Sequence, residues 1–140
     1  MSVTGPAPDH PGDRADVELR LPADGAYVSV LRTTTAGLAA RLDFPIDDIE
    51  DLRIAVGEAS AMVLPEADPE GDLLCRFYLR PGELTVALGV TSTSAIPAPD
   101  YDSFAWQVLT TLATSAEATA GDGVFSVSLT MVPGHLGAGL

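Results

Sequence analysis

Few side chains in this chain are equipped for covalent or metal chemistry. Histidine occurs twice, as His10 and His135, one near each end, so neither belongs to a fixed ligand set. The single cysteine, Cys75, lies in an apolar run that reads as a strand, where a thiol behaves as a small hydrophobe. One cysteine makes neither an internal disulfide nor a structural zinc site. Lysine is absent, which removes every route through a phosphate-loop lysine or a Schiff base. There is no G-x-S-x-G elbow, no phosphate loop and no G-x-G-x-x-G fingerprint. What stands out is an acid-bearing segment, Ile49-Glu50-Asp51-Leu52-Arg53-Ile54-Ala55-Val56-Gly57-Glu58-Ala59-Ser60-Ala61-Met62. In a helix, the spacing of four sets Glu58 and Met62 on one face.

The charge balance narrows the partners. Twenty acidic residues against seven basic ones, all arginine, leave a net charge of −13. Such a chain repels nucleic-acid phosphates, so direct nucleic-acid binding is disfavoured, whereas a basic protein is attracted. The same surplus also serves solubility. No apolar run approaches the roughly 20 residues of a membrane-spanning helix. The stretch MSVTGPAPDHPGDR lacks the apolar centre of a signal peptide, and one free cysteine suits a reducing cytoplasm. With 140 residues, 46% of them hydrophobic, the chain fits one globular domain.

The elements that must position these residues follow from periodicity. Residues 1–15 read as a disordered lead-in and 133–140 as a flexible, Gly-rich tail, leaving a domain at 16–132. Val17 to Leu21 alternates as a strand, stopped by Pro22, and Ala26 to Leu42 is spaced as an amphipathic helix. After Pro45, Asp47 or Asp48 is expected to cap a second helix with Ile49, Leu52, Val56, Ala59 and Val63 on one face. Leu73 to Leu79 and Glu83 to Val90 flank Arg80-Pro81-Gly82 as a hairpin. Residues 91–103 form a loop, Phe104 to Ala118 reads as a third helix, and Gly123 to Val132 as a last strand. Hairpins mixed with helices imply an open sheet covered on one face, a two-layer α/β sandwich.

On these elements the segment from Ile49 to Met62 resembles the second helix of RsbW-type anti-sigma factors, bacterial relatives of the histidine-kinase-like ATPases. Leu19-Arg20-Leu21-Pro22-Ala23 and Tyr27-Val28-Ser29-Val30-Leu31-Arg32 are similar to that family's opening strand and first helix. Ser103-Phe104-Ala105-Trp106-Gln107-Val108-Leu109, followed by Gly123-Val124-Phe125, resembles its divergent actinobacterial branch. The resemblance covers about residues 16–132 and implies a mixed, mostly antiparallel sheet with three main helices on one face. It also implies that Glu58 stands at the family's general base. Met62 then stands where an Asn holds the magnesium that bridges the ATP phosphates, and a thioether is no ligand for a hard cation. The adenine-reading D-x-G-x-G box falls on Leu88-Gly89-Val90-Thr91-Ser92-Thr93, which has no acid. The Gly-Leu pair that opens the third helix falls on Ala105-Trp106. Met62, Gly89, Ala105 and Trp106 therefore mark a degenerate nucleotide pocket, and Glu58 reads as a vestigial acid or a surviving base. No cofactor is expected, and ATP with magnesium belongs only to the alternative of an active enzyme.

Arg32 aligns with a first-helix arginine that, in the family, contacts both the sigma factor and the competing anti-anti-sigma protein. Val28 and Thr35 join it as candidate partner-binding positions. Arg32 reads equally as an exposed helix arginine paired with a nearby acid. The resemblance implies a cytoplasmic, homodimeric anti-sigma factor that sequesters an alternative sigma factor in stress response or development. An anti-anti-sigma protein would release it by partner switching. Two alternatives stay open: an active serine-protein kinase with Glu58 as base, and a sensor whose altered pocket takes another small metabolite.

Overall fold

A computed structural model describes residues 14–134. Regular structure begins where the Asp16 amide donates to the Phe77 carbonyl at 2.9 Å and its carboxylate accepts from the Leu79 amide at 2.7 Å. Strand β1 (Val17–Pro22) leads through a short turn, capped by the Asp24 side chain, into helix α1 (Val28–Arg41). Helix α2 (Ile46–Val63) follows, then the hairpin β2 (Asp72–Arg80) and β3 (Glu83–Thr91). Pro81 and Gly82, the latter at φ 70°, form the turn of that hairpin, a combination suited to a type II turn. Helix α3 (Phe104–Leu112), β4 (Ser115–Gly121) and β5 (Val124–Met131) complete the described chain.

The five strands lie in the order β1-β2-β3-β5-β4, and every neighbouring pair is antiparallel. The sheet is thus purely antiparallel rather than mixed, because β4 runs along the edge and turns back to deliver β5 beside β3 in the opposite sense. Alternation along each strand sends one set of side chains inward. Leu73, Cys75 and Phe77 of β2, Leu84, Val86, Leu88 and Val90 of β3, and Phe125, Val127, Leu129 and Met131 of β5 are all buried. Against them pack Leu31 and Ala39 of α1, Ile49, Leu52, Val56, Ala59 and Val63 of α2, and Leu109 of α3. The helices therefore share one face of the sheet, with α2 central between α1 and α3. Each fully buried leucine contributes roughly 1.5–3 kcal/mol relative to exposure.

Three expectations from sequence are corrected. The third helix stops at Leu112, and residues 115–121 form the edge strand β4. There Ala116, Ala118 and Ala120 pair with Leu129, Val127 and Phe125, and this ladder outweighs alanine's local preference for helix. Neither Asp47 nor Asp48 caps α2. Pro45 is the cap residue, its carbonyl accepting from the Ile49 amide at 3.0 Å, and both acids sit in the first turn, where the helix dipole favours them. Asp48 is buried and its Oδ1 accepts from the Gly134 amide at 3.1 Å, so the segment expected as a tail from 133 is tied down at its start. The lead-in through residue 13, the tail from 135, and with them His10 and His135, lie outside the described residues.

Candidate functional site

The α1–α2 surface carries the partner-facing candidates. Val28 and Thr35 are buried, at 8% and 0% exposure, and the Thr35 hydroxyl donates to the Leu31 carbonyl at 2.8 Å. Neither can be offered to a partner with α1 in place, so both are withdrawn as contact residues. Val28 belongs to the same apolar stripe as Leu31, and that stripe faces the core. Arg32 is different. It is half-buried, and its guanidinium rests against Gly57 of α2. Arg20, Arg53 and Arg76 pair with Asp72, Glu50 and Glu18 at 3.2, 3.8 and 3.4 Å, but Arg32 makes no ion pair among the described residues.

The positions expected to line a nucleotide pocket fall on α2, β3 and α3. Glu58 and Met62 are half-buried on α2, with Met62 packed against the core. Gly89 lies on the opposite face of the sheet, since Leu88 and Val90 point inward and strand parity turns residue 89 outward. Position 89 thus turns away from the helix layer that carries Glu58. Ala105 and Trp106 occupy the first turn of α3, capped by the Ser103 hydroxyl, which accepts from the Trp106 amide at 3.1 Å. The Trp106 ring meets Tyr101 edge to face, with centroids 5.1 Å apart and planes at 69°. These two rings line a 310 Å³ cleft that reaches β4 at Ala116, Glu117, Ala118 and Thr119. Neither Glu58 nor Met62 lines it.

Two functional neighbours escaped the sequence reading. Asp68, in the acidic turn after α2, accepts from the Thr93 amide at 2.9 and 3.1 Å and from the Thr93 hydroxyl at 3.1 Å. It pins the start of the loop that follows β3, and Ile96 of that loop packs against the core. An Asp ahead of a Pro in 65–71 was the only available signal. Gly57 is the other, and a lone glycine in a helical pattern gives no hint of the arginine above it. Cys75 is buried as expected, and burial pushes its thiol up to about 12.

The outer face of the sheet, opposite the helices, is a broad concavity of about 990 Å³. Its floor is small or hydroxylated: Ala87, Gly89, Ser126 and Ser128, with Thr85–Thr130 and Thr119–Ser126 hydroxyl pairs at 2.8 and 2.9 Å. Arg20, Asp72 and Arg76 lie toward one side and Glu117 toward the other.

No family model matches the chain. Serine-protein kinase RsbW of Bacillus thuringiensis (strain Al Hakam) is 35% identical over 80 residues, covering 56% of this chain and 50% of that protein. Serine-protein kinase RsbW of Bacillus cereus (strain B4264) is 38% identical over 74 residues, covering 53% of this chain and 41% of the relative. The matched segment thus spans half or less of these relatives. A crystal structure of the RsbU and RsbW domains of a Mycobacterium tuberculosis protein superimposes with a TM-score of 0.64 at 16% identity. That match covers 83% of this chain and 31% of the other, and at such identity it speaks to fold alone. The fold is that of the RsbW-containing structure, and the sequence similarity bears out the resemblance to RsbW-type proteins.

Proposed function

We propose that this chain is a binding domain that sequesters an alternative sigma factor and is relieved by an anti-anti-sigma protein, without nucleotide chemistry of its own. The observation that carries the reading is Arg32. In a chain with 20 acids it is held at the α1–α2 surface with no intramolecular ion pair among the described residues, ready for a partner's acceptor. Its test is Arg32→Ala against the sigma factor that co-purifies with the tagged chain from its host. We expect affinity to fall by more than about 1 kcal/mol in calorimetry, as truncating a central interface arginine commonly does. The melting temperature should hardly move, since Arg32 is not core. Unchanged affinity would remove Arg32 from the interface.

The donor set argues against a magnesium–nucleotide site. Met62 brings sulfur where a hard cation needs oxygen. Asp68 spends its carboxylate on Thr93, and Met62, Ile96 and Trp106 pack against the core. A second reading, an active serine-protein kinase, is favoured by the similarity to the Bacillus serine-protein kinases and by the surviving Glu58. Incubation with labelled ATP, Mg²⁺ and the antagonist separates the two. No transfer is expected, whereas transfer lost in Glu58→Ala would make the chain a working kinase. A self-associated form, seated through the outer sheet face, completes the proposal. For Arg20 and Arg76 at one side of that face to meet Glu117 of a second copy, they would share or exchange their present partners Asp72 and Glu18.

A further inference from the structure

Glycine is the least favourable residue for a helix interior after proline, yet α2 carries Gly57 well inside its 18 residues. Its φ is not positive, so no turn geometry demands it. The space its missing side chain would fill is taken by Arg32. A Cβ on Gly57 would fall 2.6 Å from Nη2, 3.0 Å from Nε and 3.2 Å from Cζ of that arginine. Alanine at 57 and the guanidinium in its present place are mutually exclusive. The guanidinium ends a flexible side chain, so a new methyl displaces it and leaves the helix intact. Gly37 of α1 provides the contrast, since a Cβ there meets nothing within 4 Å.

We infer that Gly57 is a positioning residue for the partner surface: it seats the Arg32 guanidinium across α2 and so holds its donors in one orientation before a partner arrives. The inference rests on Arg32 being the partner contact proposed for this chain. Pre-seating limits the side-chain freedom lost on association, which is where a rotamer-rich arginine otherwise costs affinity.

Four full-length variants test this: Gly57→Ala, Gly37→Ala, Arg32→Ala and the Gly57→Ala/Arg32→Ala double. Phenylglyoxal modification of Arg32, followed by peptide mass spectrometry, reads the seat directly. Titration with the co-purifying sigma factor, expressed separately, reads its consequence. We expect Gly57→Ala to speed modification of Arg32, keep or raise the melting temperature, and weaken binding about fivefold or more. The double should bind no worse than Arg32→Ala, and Gly37→Ala should leave both modification and binding unchanged. Unchanged modification in Gly57→Ala would overturn the seat. Faster modification with full affinity, while Arg32→Ala binds weakly, would overturn the positioning role and leave the interface reading standing. Full affinity in Arg32→Ala would sink the interface reading and this inference with it.

Discussion

Asp51 lies one turn into α2 beyond Asp47 and Asp48, and its carboxyl pKa is raised from 3.8, first by loss of solvent and then by the charges of Asp48 and Asp47. A carboxyl raised on folding binds its proton more tightly in the native state than in the unfolded chain. Stability contributed by that proton is present at low pH and is lost as pH rises through the folded value. Asp51→Asn should therefore raise the melting temperature at pH 7, with the gain shrinking as the buffer is taken below 3.8. An equal gain at all pH values would point to packing rather than charge. Asp48, its neighbour, has a different role, because its Oδ1 holds the Gly134 amide.

At the scale of elements, β4 depends on its turn. Asp122 and Gly123 both adopt positive φ, 54° and 75°, the pairing that suits the twist of a two-residue hairpin. Gly123 is doubly required, since a Cβ there would come within 3.3 Å of the Ser92 carbonyl oxygen, and the Gly123 carbonyl accepts from the Ser92 amide at 2.9 Å. We expect Gly123→Ala to cost about 1 kcal/mol or more in urea denaturation. Gly121→Ala, where nothing lies within 4 Å and φ is not positive, should cost far less. Equal losses would mean that strand pairing rather than the turn sets the geometry. The hairpin also shapes the cleft beside α3, for β4 forms the wall against which Trp106 and Tyr101 rest.

For the whole molecule the dominant quantity is the net charge of −13. It speeds encounter with a basic partner, and salt screens that attraction. It also opposes the meeting of two copies, and salt screens that repulsion. The two associations should respond to ionic strength with opposite signs. Binding of the proposed sigma-factor partner should weaken, chiefly through a slower on-rate, between low and physiological salt. Self-association in sedimentation should strengthen over the same range. Self-association that weakened with salt would mean that the local Arg–Glu complementarity of the outer sheet face outweighs the global field.

The sequence by itself determined the two-layer architecture, the inward stripe of α2 and the β2–β3 hairpin. Each depends on short-range spacing that survives without knowledge of neighbours. It also carried the RsbW likeness, and the parity of β3 that sends Gly89 outward was already implicit in Leu88 and Val90. Only tertiary structure decided the rest. Ala116, Ala118 and Ala120 prefer helix locally and become a strand because Phe125, Val127 and Leu129 offer a ladder. Asp68 becomes a loop clamp because two turns distant in the chain meet at Thr93. The contact of Arg32 with Gly57 had no sequence signal, because it arises where two helices pack and the absence of a side chain on one makes room for the charge on the other.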